Sequence, residues 1–267
     1  MSSTSASTSQ KPNTSTIIDD GTKTDRACQT CECIEGETDS NSTEPEPEYV
    51  HHEVVHFKQQ FAWDCGLSCV LMLLNASQRQ YFLDNFNEIC TEEGFGSSTW
   101  TIDLCYLLKR FNIKHCMYST MMGVNEAYAK MSYYDSIMSL DKERVQQRFE
   151  QSAAAGVDIR EGCVRTRQLV AHLARRGPAI VLVDAGLLAC DLCKHNKLRV
   201  EFRRRLGGSY AGHYILVVGY NKRGGRLLYR DPALAPRLCA ARPAALAAAR
   251  AAPGTDHDVV LVQRPSS

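Results

Sequence analysis

The amino-acid sequence predicts an α+β fold in one body, and three observations carry that reading. Residues 65–74 place Leu67, Val70, Leu71 and Leu74 at the i, i+3, i+4, i+7 spacing of a helix with one buried face. Residues 214–220 and 226–230 are apolar, strand-like runs around the Gly-rich connection 221–225, the pattern of an antiparallel hairpin. Helical patterns dominate the first part of the chain and strand patterns the last, an order that favours segregated helices and an antiparallel sheet.

Taken in order, the folded part starts near residue 50. Residues 1–49 hold 10 acidic groups against Lys11, Lys23 and Arg26, and almost no large apolar side chains. Such a segment cannot bury enough surface to offset its ordering entropy, so it reads as a disordered acidic tail. Residues 50–267 form the single domain. Asp64 is a suitable N-cap for the helix at 65–74; further helices are expected over 80–90 and 101–111, the latter after the start signal Ser97, Ser98, Thr99. A strand follows at 113–118 and a loop or irregular helix at 121–139, then helices at 141–155 and 166–176, the last stopped by Gly177-Pro178. Residues 180–183 read as a buried strand and 259–262 as the final one; the segment 232–252, with 11 Ala, reads as a helix after Pro243.

The 267 residues carry 31 basic and 30 acidic groups, but the body alone is basic. No Lys/Arg stripe interleaves with aromatic residues, so no nucleic-acid partner is expected. No apolar run approaches the ~20 residues of a membrane span, and the first residues show neither a basic-then-apolar leader nor Gly at position 2. A cytoplasmic or nuclear protein without a membrane partner is therefore expected, its 12 cysteines mostly thiols. The oligomeric state is not legible.

The most informative stretch is Gln59, four residues, then Asp64-Cys65-Gly66. A thiol at a helix N-terminus lies at the positive end of the macrodipole, where the nucleophilic thiolate is favoured. Gln59 could supply an oxyanion donor beside the Cys65 backbone N–H. His213, entering an apolar strand, is the candidate base, and Asp231, ending the paired strand, its orienter, because a hairpin brings those ends together. Taken alone, Cys65 reads as a small core hydrophobe and Asp231-Pro232 as a turn; the conjunction favours a Cys-His-Asp hydrolase. Groups for phosphate or metal-assisted chemistry are not legible, since the sequence shows no P-loop and no paired Asp on adjacent strands. Asp103 and Asp184 stand alone, and Gly94-Phe95-Gly96 is too short for a phosphate cradle. Cys190-x-x-Cys193 with His195 is a candidate zinc set or redox pair, but one pair supplies only two of the four ligands of a structural zinc, so loop thiols and no metal are the main expectation there.

The pattern Gln59-x-x-x-x-Asp64-Cys65-Gly66-x-x-Cys69, Gly212-His213-Tyr214-Ile215-Leu216 and Asp231-Pro232 resembles papain-like, bacteriocin-processing (C39-like) peptidases. Trp63 to Leu67, Trp100 to Leu104, Ala179 to Val183, Cys190 to Cys193 and Gly254-Thr255-Asp256 are similar to the eukaryotic guanylyl cyclase domain-containing family. The first resemblance implies a papain-like fold with Gln59, Cys65, His213 and Asp231 in the roles above. The second implies a guanylyl cyclase that would use GTP with Mg or Mn. On residue chemistry the expectation is a thiol-dependent hydrolase of the peptidase or isopeptidase type, or its non-catalytic descendant. It would need no cofactor and would act on a peptide or protein substrate. Guanylyl cyclase is the alternative and an interaction module the third. Substrate-selecting loops are expected at 119–139 and 186–211.

Overall fold

The computed structural model describes residues 45–264 except 97, 194 and 207. The acidic stretch up to 44, predicted to be disordered, lies outside the described residues. The chain runs β1 (Tyr49–His51), α1 (Cys65–Leu73), α2 (Ala76–Asp84), α3 (Phe86–Glu92), α4 (Thr101–Arg110), β2 (His115–Ser119), a 3-10 turn (Glu126–Lys130), α5 (Ser132–Ala155), β3 (Ile159–Glu161), α6 (Thr166–Arg175), β4 (Ala179–Asp184), α7 (Lys197–Leu206), β5 (Gly212–Asn221), β6 (Arg226–Arg230), β7 (Cys239–Ala241), α8 (Pro243–Arg250) and β8 (Val259–Val262).

The strands form one sheet in the order β3-β2-β8-β4-β5-β6-β7. Every pair is antiparallel except β2 with β3, so the sheet is mixed and the expected all-antiparallel sheet is corrected. The helices-first order is corrected as well: β1 precedes every helix and pairs with the end of β5, along the edge that β4 covers at its start. Both faces of the sheet are covered. Ile180, Leu182, Tyr214, Leu216 and Val218 pack with α1 and α4. Val181, Val183, Ile215 and Val217 pack with Leu169 and Leu173 of α6 and Leu246 of α8. The period-2 alternation of β4 and β5 thus sends apolar side chains to two separate cores, which is why both strands read as continuous apolar runs.

Local chemistry explains the element ends. The single helix expected at 80–90 is two, divided at Asn85, which closes α2 and opens α3. Asn75 and Gln78 form a reciprocal cap at the start of α2. Asp64 precedes α1 as predicted, but its carboxylate accepts the Gln60 and Phe61 N–H groups at 2.9 and 3.0 Å and makes no cap bond to the helix. Gly156, at φ 69°, ends α5 in the left-handed region. The loop or irregular helix expected at 121–139 is the 3-10 turn and the first turns of α5; α7 lies within the loop expected at 186–211. Ion pairs from Arg148 to Asp103 and Glu93, both at 2.8 Å, clamp α5 to α4 and to the end of α3. No described helix is long and apolar enough to cross a membrane.

The last residues of the expected tail belong to the body. Glu46 pairs with Lys222 at 3.0 Å and Glu48 with Arg223 at 2.9 Å, both on the β5–β6 turn. Such exposed pairs contribute little; the β1 ladder and the His52 N–H to Val218 carbonyl bond at 2.7 Å do the positioning. That approach depends on Gly219, because a Cβ there would overlap the Val50 carbonyl oxygen. Gly219→Ala should therefore expel β1 and lower stability by about 1–3 kcal/mol. Thermal unfolding checks this; a melting temperature equal to the parent's would show that β1 contributes nothing.

Candidate active site

Three elements meet at the predicted centre. Cys65 opens α1, His213 is the second residue of β5, and Asp231 directly follows β6. The β5–β6 ladder runs from Asn221↔Arg226 to Leu216↔Arg230 with a bulge between Val217 and Gly219, which returns Asp231 toward the start of β5. Asp231 Oδ1 lies 2.8 Å from His213 Nε2 and also accepts the Ala233 N–H at 3.0 Å. Cys65 is the other neighbour of the same imidazole. Burial lowers the pKa of His213, but the hydrogen bond that the ring donates to Asp231, with the neighbouring Cys65 and the Asp231 charge, outweighs it and raises the pKa to about 10. Burial likewise raises Asp231, yet its hydrogen bond to His213 and the imidazolium charge hold it below the ordinary carboxylate value.

Gln59 departs from its predicted role. Its side-chain amide donates to the Phe61 carbonyl at 2.7 Å, within the turn that precedes α1, and its backbone N–H bonds the Pro232 carbonyl at 3.0 Å. The residue therefore ties the α1 entry to the loop after β6, and its N–H₂ is engaged locally instead of facing the thiol.

Two glycines of the motifs set how closely the parts approach. A Cβ on Gly66 would stand 2.9 Å from the Leu104 side chain and 3.1 Å from Tyr214; one on Gly212 would stand 2.9 Å from Tyr133 and Tyr210. Neither position uses a left-handed φ, so the requirement is for space.

Beside this group lies a cleft that was not read from the sequence. Its walls include Trp100, Tyr133, Tyr134, Tyr210 and Tyr214, and Asp256 and Asp258 lie in its lining. The Tyr134 and Tyr210 rings stack at 5.8 Å, with Tyr133 edge-on to both at 5.1 Å. Cleft and triad-like group are contiguous: Tyr133 lies against Gly212, the residue before His213, and neighbours Cys65. Asp256 and His257 have φ of 45° and 55°, two successive non-glycine residues in the left-handed region, strain of the kind found at functional sites. The Asp256 carboxylate accepts from the Tyr128 hydroxyl at 2.8 Å and from Asn125 at 3.4 Å. Burial pushes Asp258 up to about 8 against the hydroxyls of Ser119 and Thr101, so it is chiefly a neutral acid at pH 7. Thr101 Oγ1 in turn lies 2.9 Å from the Tyr214 hydroxyl.

The carboxylates singled out in the sequence have structural partners: Asp103 holds Arg144 and Arg148, and Asp184 accepts the Gly186 N–H at 2.9 Å. Resident divalent ions do not fit the cleft. Asp258 is largely neutral, and among the described residues no group of three or more metal-ligating side chains includes a carboxylate. The zinc set Cys190, Cys193 and His195 is also altered: the sulfurs of Cys190, Cys193 and Cys239 converge, without His195.

Two comparisons bear on this site. A profile of the guanylylate cyclase family matches residues 54–262, which span the whole site. The chain is 31% identical to guanylyl cyclase 1 of Arabidopsis thaliana over 218 residues, 81% of this chain and 77% of that protein. These findings overturn the expectation of a thiol-dependent hydrolase. The residues that suggested it do assemble, but a cysteine, a histidine and a carboxylate in contact fix a proton-handling group and do not by themselves choose the reaction. The orientation of Gln59 removes the proposed side-chain oxyanion donor.

His213 offers a direct check on this electrostatic picture. Its folded value of about 10 lies above the ordinary 6.5, so its contribution to stability is complete below about 6.5 and is lost as pH rises through 10. Nuclear magnetic resonance should find the ring protonated at pH 8, and Asp231→Asn should move its titration down. A native ring that titrates near 6.5 would contradict the assigned contacts.

Proposed function

The chain belongs to the guanylylate cyclase family, and from that premise we propose that it converts GTP to cyclic GMP and pyrophosphate in the cleft beside His213. The likeness to the Arabidopsis thaliana guanylyl cyclase 1 carries this reading, and the chemistry of the cleft supports it. Guanine presents an N1–H and an N2 amino group along one edge, two donors that a single carboxylate accepts together; Asp256 is a carboxylate in an aromatic cleft. Trp100 and Tyr133, the less buried rings of the lining, offer faces for a base, and such stacking is worth about 1–3 kcal/mol per base.

Adjacent to those rings, the His213 imidazolium held by Asp231 supplies positive charge for the phosphates. In cyclisation the ribose 3′-oxygen bonds to the α-phosphorus and the bond from that phosphorus to the pyrophosphate oxygen breaks. The hydroxyl proton ends on pyrophosphate. In this reading His213 passes it, giving its own proton to the leaving group and being restored from the 3′-hydroxyl. A divalent ion, Mg or Mn, enters with the nucleotide as part of the substrate. For the scaffold we infer a papain-like arrangement, supported by a helix-borne Cys65 against a strand-borne His213.

Incubating the purified chain with GTP and Mg or Mn, with products followed by mass spectrometry, tests the proposal. Cyclic GMP should form, His213→Ala should lower its rate by about 100-fold or more, and Asp256→Asn should erode the preference for GTP over ATP. Absence of cyclic GMP with either ion, or rates unchanged in both variants, would overturn it.

A further inference from the structure

The loop between β4 and α7 carries Cys190 and Cys193, and β7 carries Cys239, 46 residues further along the sequence from Cys193. Their three sulfurs lie within 4.8 Å of one another. Three zinc–sulfur bonds of about 2.3 Å in a tetrahedral site would set sulfurs about 3.8 Å apart, so only small side-chain adjustment separates this cluster from a coordinating one. Cys190 and Cys239 are fully buried, while Cys193 is partly exposed and offers an entry path.

The backbone is arranged around Cys190 in a way that apolar packing would not require. The Cys193 N–H points at the Cys190 sulfur at 3.4 Å, folding the loop back so that both of its thiols face Cys239. The loop is pinned on β7 by the Asp191 N–H to the Ala240 carbonyl at 2.7 Å and on β6 by the Asp191–Arg226 ion pair at 2.7 Å, and it is closed on itself by the Cys190 N–H to the His195 carbonyl at 3.3 Å. A disulfide would use two of these thiols and leave the third; convergence of all three suits a metal ion.

We propose that Cys190, Cys193 and Cys239 form a zinc site with three thiolate ligands and water in the fourth position. Binding forms three sulfur–zinc bonds and releases to solvent whatever protons the thiols held. The site would fasten the loop from β4 to β7, which lies in the segment following Asp231, and so hold the Asp231 side of the His213 pair. It does not rest on the cyclase reading.

Elemental analysis of the full chain, purified without chelators, should find about one zinc per chain, the stoichiometry of a single site. Cys193→Ser, at the partly exposed position, should lose the zinc while circular dichroism stays that of the folded chain; Cys116→Ser, away from the cluster, should keep it. If Cys239→Ser fails to fold, cobalt loaded into the parent chain replaces that variant as a readout. Sulfur-to-cobalt charge-transfer absorption should then appear in the parent and vanish in Cys193→Ser. Substoichiometric zinc in the parent, zinc retained by folded Cys193→Ser, or a Cys190–Cys193 disulfide in freshly purified chain would each overturn the proposal.

Discussion

Strand β5 is the constraint on which the rest of the structure depends. Its ten residues pair with β4 and then β1 along one edge and with β6 along the other, and seven consecutive residues, Tyr214 to Tyr220, are buried. Alternate side chains feed two cores, so a slip of one residue would exchange Tyr214, Leu216 and Val218 with Ile215 and Val217 between layers that are packed differently. The register is therefore fixed from both faces at once. Because it is fixed, the start of the strand is a rigid point, and His213 stands there. The bulge in the β5–β6 ladder returns Asp231 to the same end, and α1, packed on β5 through Gly66 and Tyr214, brings Cys65 from the helical layer.

The same end of the sheet explains the cleft. Gly212 admits Tyr133 and Tyr210, and their stacking with Tyr134 builds an aromatic wall contiguous with the proton-handling group. The turn before β8 contributes Asp256 and Asp258 in a strained backbone, which persists because β8 is held by β2 and β4 on either side and by the Thr120 bonds to the Asp256 carbonyl at 2.9 Å. Each carboxyl has its own electrostatic state: Asp231 is ionised beside an imidazolium, whereas burial raises Asp256 and leaves Asp258 mostly neutral at pH 7.

Elements with a strong period were legible in the sequence, as were residues whose neighbours are set by a short hairpin. The α1 pattern, the β5–β6 hairpin and the His213–Asp231 contact follow from local spacing plus antiparallel pairing. Elements of three residues were not legible: β1, β3 and β7 carry too few side chains to show a period, and the Cys239-Ala240-Ala241 strand sits in an Ala-rich stretch that reads as helix. The aromatic cleft was invisible for another reason. Trp100, Tyr133, Tyr210 and Asp256 come from four separate segments, and only the closed sheet assembles them. The third thiol of the cysteine cluster was missed in the same way. Reaction class was the least legible property, because Cys65, His213 and Asp231 specify how protons are held and leave open which electrophile the site receives; the proposed reaction rests on kinship with a guanylyl cyclase.

The central claim is that the aromatic cleft receives guanine beside the His213 pair. The chain holds two tryptophans, Trp63 before α1 and Trp100 in the cleft wall, so a Trp63→Phe chain reports from the cleft alone. Its fluorescence should change saturably on titration with GTP, respond more weakly to ATP, and lose the GTP response when Asp256→Asn is added. An emission unmoved by GTP, or one that ATP moves equally well, would contradict the claim.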